Sequence, residues 1–555
     1  MKLRLPIALL SLVLAGMVSC KKGSDGPGPT GFEAISFKFG QDATAITIDQ
    51  ASQTLKNMPR SCDVTKLVAT AVLPSGYSIS PDPTTVKDYS KGVTYTITNS
   101  QGGTYTMSIT APVYDAVNNP YGVYTAKHLS DIRNGLNDSY VLMNDIDLPN
   151  LNASNAATSV GISDYATYGW YSIGAFYVDG GHVIFRGSLD GQNHVIKNLT
   201  SSFRKEGDNP AGIDDGHRHK GYDGLFGFAA SATFKNIGIQ LAPTGIYDVA
   251  ADGNSYSNVG ALVGSADTCT ITNCFVTGNA SIVGGQYTGG LIGRARNSTV
   301  SKSYSALTPA AGSYAVITGA DGGGLIGWTL YSEISDSYST SSVIGSNNVG
   351  GLIGFVNTST VKTCYASGNV AETPSNIVVG LTPPNNLGGF IGTVSSISPA
   401  TSTIQNCYAT GTVAGANGSN STLHKSTRIG GFIGDINSSS GPVSVTFCYA
   451  SGNVSRVHTS STVPYLTGGL AGNTKNNVFI SSSNCTNYWD KEKSGQSTLG
   501  GGNGTLAQDN AFTANGKTTA EMKATSTFLN WDFSSVWITT AGTNNGYPSL
   551  RSINK

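Results

Sequence analysis

Side chains able to do chemistry cluster in one stretch of this chain. FRKEGDNPAGIDDGHRHKGYDG, residues 203–224, gathers Arg204, Lys205, Glu206, Asp208, Asp214, Asp215, His217, Arg218, His219 and Lys220. Carboxylates next to alternating imidazoles, Asp214 and Asp215 followed by His217 and His219, are the donor types a metal ion or a polar ligand needs. A solvated surface insertion carries the same residue types, and the residues by themselves favour it. The stretch is still the first place to look for a ligand, and the sequence leaves the identity of any metal open.

Two further columns recur along the chain. Phe275, Tyr304, Tyr338, Tyr365, Tyr408 and Tyr449 occupy one position of a repeat, and Cys274, Cys364, Cys407 and Cys448 precede four of them. Exposed, the tyrosines are a candidate aromatic strip for sugar rings; buried, they are core. Each Tyr shares strand parity with the Val or Ile four residues earlier, which argues for core unless a bend intervenes. The cysteines lack the Cys-x-x-Cys pairing of a zinc site and read as small buried side chains, Ser303 and Ser337 standing at the same position elsewhere. Catalytic acid–base work needs converging carboxylates, and the repeat columns hold Ser, Thr, Asn and Tyr instead. No Gly-x-Ser-x-Gly or His-Glu-x-x-His motif occurs.

The elements that must carry these residues are written as a repeat. Boxes DGLFG, GALVG, GGLIG (three times), GGFIG (twice) and GGLAG end at Gly227, Gly264, Gly293, Gly327, Gly354, Gly392, Gly434 and Gly472. The interval from the last Gly of a box to the aromatic is 11 residues at Gly264–Phe275, Gly293–Tyr304, Gly327–Tyr338 and Gly354–Tyr365, and 15 or 16 in later units. Successive boxes lie 27 to 42 residues apart. A fixed joint with an elastic remainder is solenoid behaviour. Short apolar strands stacked coil on coil place like residues on like. Leu225, Leu262, Leu291, Leu325, Leu352, Phe390, Phe432 and Leu470 form one expected ladder, and Phe234, Ile271, Val300, Ile334, Val361, Ile404 and Val445 a second. The box glycines are expected to supply sharp turns through backbone angles other residues avoid.

Around this core the chain has a clear order. Lys2, Arg4, an apolar run from Leu5 to Val18 and Ser19-Cys20 form an export signal over 1–19, and Gly- and Pro-containing residues 20–30 form a tether. Residues 31–113 alternate as short strands, with Val93–Thr98 and Thr104–Ile109 joined by Asn99–Gly103 as a hairpin, the pattern of a small Ig-like β-sandwich. Thr125 is expected to cap a short helix that covers the first coil of a solenoid spanning 121–487, and 488–555 caps the other end. Composition excludes some functions: 33 basic and 33 acidic residues balance, so no basic surplus argues for nucleic acid.

The Met17-Val18-Ser19-Cys20 terminus resembles a bacterial lipobox, which implies lipid on Cys20 and an outer-membrane location, facing the cell surface. DVTKL and DYSKGVTYTITNSQGGTYTMSIT resemble the Ig-like spacer domains of Gram-negative surface lipoproteins. The boxes, with FRGSLDGQNHVIKNLT before them and YWDKEKSGQS and NNGYPSL after, resemble the Glug-motif family of bacterial surface proteins and adhesins. That resemblance implies an all-β fold, a right-handed parallel β-helix, and no catalytic residues or cofactor to carry over. The expected function is therefore a non-catalytic, lipid-anchored adhesin-like or scaffolding protein that meets a glycan or protein partner through its loops. The alternative is a carbohydrate-active β-helix enzyme, a polysaccharide lyase or hydrolase, with its site in those loops.

Overall fold

The computed structural model describes residues 36–39, 53–163, 165–174, 183–202, 221–248, 257–309, 317–372, 386–415, 428–437, 441–455, 466–474, 486–497, 500–502, 514–540 and 542–553. Two units are distinct: Met1–Thr54 with Val64–Thr110, and Leu55–Asp63 with Ala111–Lys555. No helix among the described residues is long and apolar enough to cross a membrane.

The first unit is a small antiparallel β domain. Ser36–Phe39 pairs with Ala69–Val72, and Ser78–Ser80, Val93–Thr98 and Thr104–Ile109 form a three-stranded sheet with the expected hairpin. Its turn is fixed by Asn99, whose side-chain oxygen accepts the N–H groups of Gln101 and Gly103. Alternation puts Tyr95, Ile97, Met107 and Ile109 inside with Phe37, Phe39 and Tyr89.

The second unit is a parallel β-helix. One coil shows how it is made. Ile326–Leu330 is followed by Tyr331 at φ 49° and Ser332; Glu333–Ser335 is followed by Asp336 at φ 48° and Ser337. Tyr338–Ser339 and Val343–Gly350 then return the chain to the next box strand, Ile353–Asn357. Every strand of that coil lies parallel to its counterpart one coil away. Stacking yields an eight-stranded sheet of box strands, a ten-stranded sheet of short strands, and a third face of long and broken strands.

Both ladders form. Phe234, Ile271, Val300, Ile334, Val361, Ile404 and Val445 pair in unbroken register, and the Leu/Phe column is backbone-bonded from Leu291 through Leu325, Leu352, Phe390 and Phe432 to Leu470. All are buried, each contributing about 1.5–3 kcal/mol of gross stabilisation. Phe390 and Phe432 also stack with centroids 4.8 Å apart.

The ends are closed differently. At the start, Thr125 caps Ala126–Ser130 by accepting the His128 N–H, and Leu129, Val160, Tyr165 and Trp170 pack on the first coils. At the far end, Met522, Phe528, Trp531, Trp537, Tyr547 and Leu550 of the C-terminal segment cover Tyr408, Tyr449 and Tyr488.

The glycines work by a different route from the expected one. None of the Gly residues in the GGLIG and GGFIG boxes lies at positive φ. Instead a Cβ on Gly323 would sit 1.9 Å from the Ile326 carbonyl oxygen, and one on Gly350 2.0 Å from that of Ile353. The boxes are glycine because backbone from the same and the neighbouring coil passes through the space a side chain needs. The left-handed backbone is supplied by other residues: Thr268, Asn297, Tyr331 and Thr358 at the first corner, and Asn273, Lys302, Asp336, Thr363, Asn406 and Phe447 at the second.

Candidate functional site

The second corner decides where the aromatic column points. A left-handed residue between two extended strands reverses their alternation, so the residue after it turns inward and the aromatic outward. Cys274, Ser303, Ser337, Cys364, Cys407 and Cys448 are accordingly fully buried, and the cysteines are free thiols. Serine at this position links coils: the Cys274 N–H donates to Ser303 Oγ and the Ser303 N–H to Ser337 Oγ. The aromatic column is therefore not the core column that strand parity alone predicts. Phe275, Tyr304, Tyr338 and Tyr365 are half-buried on the outer surface, while Tyr408 and Tyr449 are buried under the C-terminal segment.

The rings form one stack. Successive centroids from Phe275 to Tyr449 are 4.8–5.1 Å apart with planes within 5°. Each interior ring therefore has a neighbour on both faces, and Phe275 rests on Gly238, where a Cβ would lie 2.5 Å from its Cζ. A sugar ring stacking flat, as a strip of open faces would invite, has no free face to meet; the column offers ring edges and phenol oxygens. Burial raises the Tyr304 phenol and takes that of Tyr338 up to about 12, so these groups remain neutral donors at physiological pH. At the covered end, the Tyr449 hydroxyl donates to the Pro548 carbonyl at 2.6 Å and accepts from Asn544.

A second pair of columns follows the boxes. One begins with Tyr222 and continues through Asn258, Tyr287, Asp321, Asn348, Asn386, Arg428 and Leu466. The other holds Phe228, Ser265, Arg294, Trp328, Phe355, Thr393, Asp435 and Asn473. The close backbone approach at the box glycines brings the two rows face to face: Tyr222 stacks on Phe228 and Tyr287 on Trp328, each at 5.5 Å. From Asp321 onward this seam is a polar chain. Asp321 accepts from Asn347 and Asn348, and Asn348 accepts from Asn386 and Thr393. Asn386 accepts from Arg428, and Asp435 accepts from Asn473 and pairs with Arg428. Burial pushes the Asp321 carboxyl up to about 6 against the pull of Asn348 and Asn347. The upstream half is aromatic, with the Arg294 guanidinium 4.9 Å over the Trp328 ring.

Sequence reading does not find this seam, because its members share no residue type. The available signal is positional: from Asn258 onward they stand six residues before and one after the final Gly of each box.

A third feature is a pair of buried carboxylates at the first box. Asp223 accepts hydrogen bonds from the Ser172 and Ser201 hydroxyls and the Gly224 N–H at 2.7–2.8 Å. Burial and the neighbouring Asp223 push the Asp248 carboxyl well above the ordinary carboxylate range. Asp214, Asp215, His217 and His219, with the rest of residues 203–220, lie outside the described residues, as does Cys20. Among the described residues no group of three or more His, Cys, Asp or Glu converges to hold a metal ion.

Fold and repeat together define a β-helix protein built on Gly-Leu-x-Gly boxes. Comparison with known families specifies it further: residues 255–283 and 384–414 match the GLUG motif, and residues 34–111 match the family described as SGBP, N-terminal. No curated protein matches the chain. Among solved structures, one described as a "putative immunoglobulin A1 protease from Bacteroides ovatus" is 18% identical with a TM-score of 0.38, covering 79% of this chain and 93% of that one. Another, described as "IgA1 Protease", is 14% identical with a TM-score of 0.33, covering 80% of this chain and 29% of that one. This chain thus spans less than a third of the second protein.

Proposed function

We propose that this chain is a non-catalytic glycan-binding protein, anchored through lipid on Cys20 to the outer membrane and displayed at the cell surface. In this reading the Ig-like domain is a spacer. The observation that carries it is the match of residues 34–111 to the SGBP N-terminal family, a family of surface glycan-binding proteins. The β-helix supports the reading at the seam, where Tyr287, Arg294 and Trp328 lie together beside the boxes. The test is a glycan array probed with the chain from residue 31 onward. Specific retention of one glycan class is expected; silence across the array sinks the reading. Lipid attachment is checked separately by metabolic palmitate labelling, which Cys20→Ser should abolish.

One observation favours the enzymatic alternative, the Asp223–Asp248 pair, since a carboxyl raised by burial and by a second carboxyl is the kind of group general acid–base chemistry uses. Both residues are buried, and Asp223 already accepts three hydrogen bonds, which suits a structural acid pair better. Degradation of a bound polysaccharide by the wild type, lost in Asp248→Asn, would establish the alternative.

A further inference from the structure

The seam contains polar atoms that its fold leaves unmatched. Asn258 is 5% exposed, and its Oδ1 is buried with no hydrogen-bond partner among the described residues. Arg294 is half-buried, and its Nε–H is likewise buried without an acceptor. Asn258 pairs in register with Tyr287 one coil on, and Arg294 pairs with Ser265 on one side and Trp328 on the other. No carboxylate among the described residues forms an ion pair with Arg294, and Asp321, the acid next in Tyr287's column, is occupied by Asn347 and Asn348. An unmatched donor and an unmatched acceptor thus flank one aromatic pair, Tyr287 on Trp328. Leaving both unmade costs free energy that a ligand can return.

The chemistry wanted is specific. A simple anion would satisfy Arg294 but offers no proton to Asn258. An apolar ligand satisfies neither. A hydroxyl both donates and accepts, and a sugar ring sets several hydroxyls around an apolar face that packs on aromatic side chains. We propose that the seam formed by Asn258, Ser265, Tyr287, Arg294 and Trp328 is a saccharide subsite, with sugar hydroxyls meeting Asn258 Oδ1 and Arg294 Nε beside the Tyr287–Trp328 pair. This deepens the glycan-binding reading and rests on it; it moves the site from the outer tyrosine column to the boxes.

The test uses the full chain in detergent against four immobilised probes: mannan, xylan, polygalacturonate and mucin O-glycans. The wild type is expected to retain at least one. For that probe, Asn258→Ala and Arg294→Ala should each weaken Kd about tenfold or more, whereas Tyr338→Ala in the outer column should leave it unchanged. The bound probe should also alter tryptophan fluorescence in the wild type and not in Trp328→Phe. Should either alanine variant misfold, Arg294→Lys, which keeps charge and stem but loses Nε, and Trp328→Phe carry the test. Wild-type affinity in the seam variants, or loss in Tyr338→Ala alone, overturns the subsite while leaving glycan binding standing. Failure of the wild type to retain any probe overturns both.

Discussion

The two kinds of bend in each coil reach the same end by opposite means. At the GGLIG and GGFIG boxes no glycine takes a positive φ and the side chain is deleted, because backbone of the same and the neighbouring coil occupies its space. At the second corner the side chain stays and the backbone takes a left-handed turn, through residues as different as Asn273, Lys302, Asp336 and Phe447. The box is steric and intolerant; the corner is conformational and permissive. The difference explains why the boxes read as a motif and the corners do not. It also explains what each bend builds: the box presses two rows of side chains together into the seam, and the corner throws one residue, the aromatic, outward.

The largest test of this contrast lies in what the corner exposes. Tyr449 and Tyr338 stand at equivalent positions, yet only Tyr449 is covered by the C-terminal segment. Tyr449→Ala should cost about 3–5 kcal/mol of stability in chemical denaturation and Tyr338→Ala about 1–2 kcal/mol. Equal losses would show that the corner does not turn the column outward.

Next in size is the carboxylate that the box crowding buries. The folded-state pKa of Asp321 is raised to about 6 from the ordinary 3.8. Stability should therefore be highest below pH 4 as far as this group is concerned, and fall by about 3 kcal/mol as pH rises from about 4 through about 6. Asp321→Asn should flatten that part of a stability–pH profile, and an unaltered slope would refute the burial.

Substitution at the bends themselves gives the direct comparison. Gly350→Ala, placing a Cβ 2.0 Å from the Ile353 carbonyl, should lose about 1–3 kcal/mol. Lys302→Gly at a second corner should shift stability by no more than about 1 kcal/mol, towards a higher Tm, as relief of left-handed strain offsets added chain entropy. A loss at Lys302 matching that at Gly350 would erase the distinction.

Much of the frame was legible beforehand. The 11-residue interval is the box strand, a corner, a three-residue strand and a second corner, as the coil from Gly327 to Tyr338 shows. In the longer Gly392–Tyr408 interval the added residues enter at the first corner, within Ser396 to Thr401, and leave the second intact. The hairpin, the Thr125 cap and both apolar ladders followed from local pattern. The seam did not, since Tyr287, Arg294 and Trp328 meet only through register between coils.

The Gly-Leu-x-Gly spacing by itself determined that this chain coils and which residues are stacked, because period and apolar pattern are local properties that every repeat restates. Only the tertiary structure decided which side of the wall each column occupies and what covers it. One left-handed residue per corner inverts the alternation of everything after it, and the cover on Tyr408 and Tyr449 arrives from residues some hundred positions further along the chain.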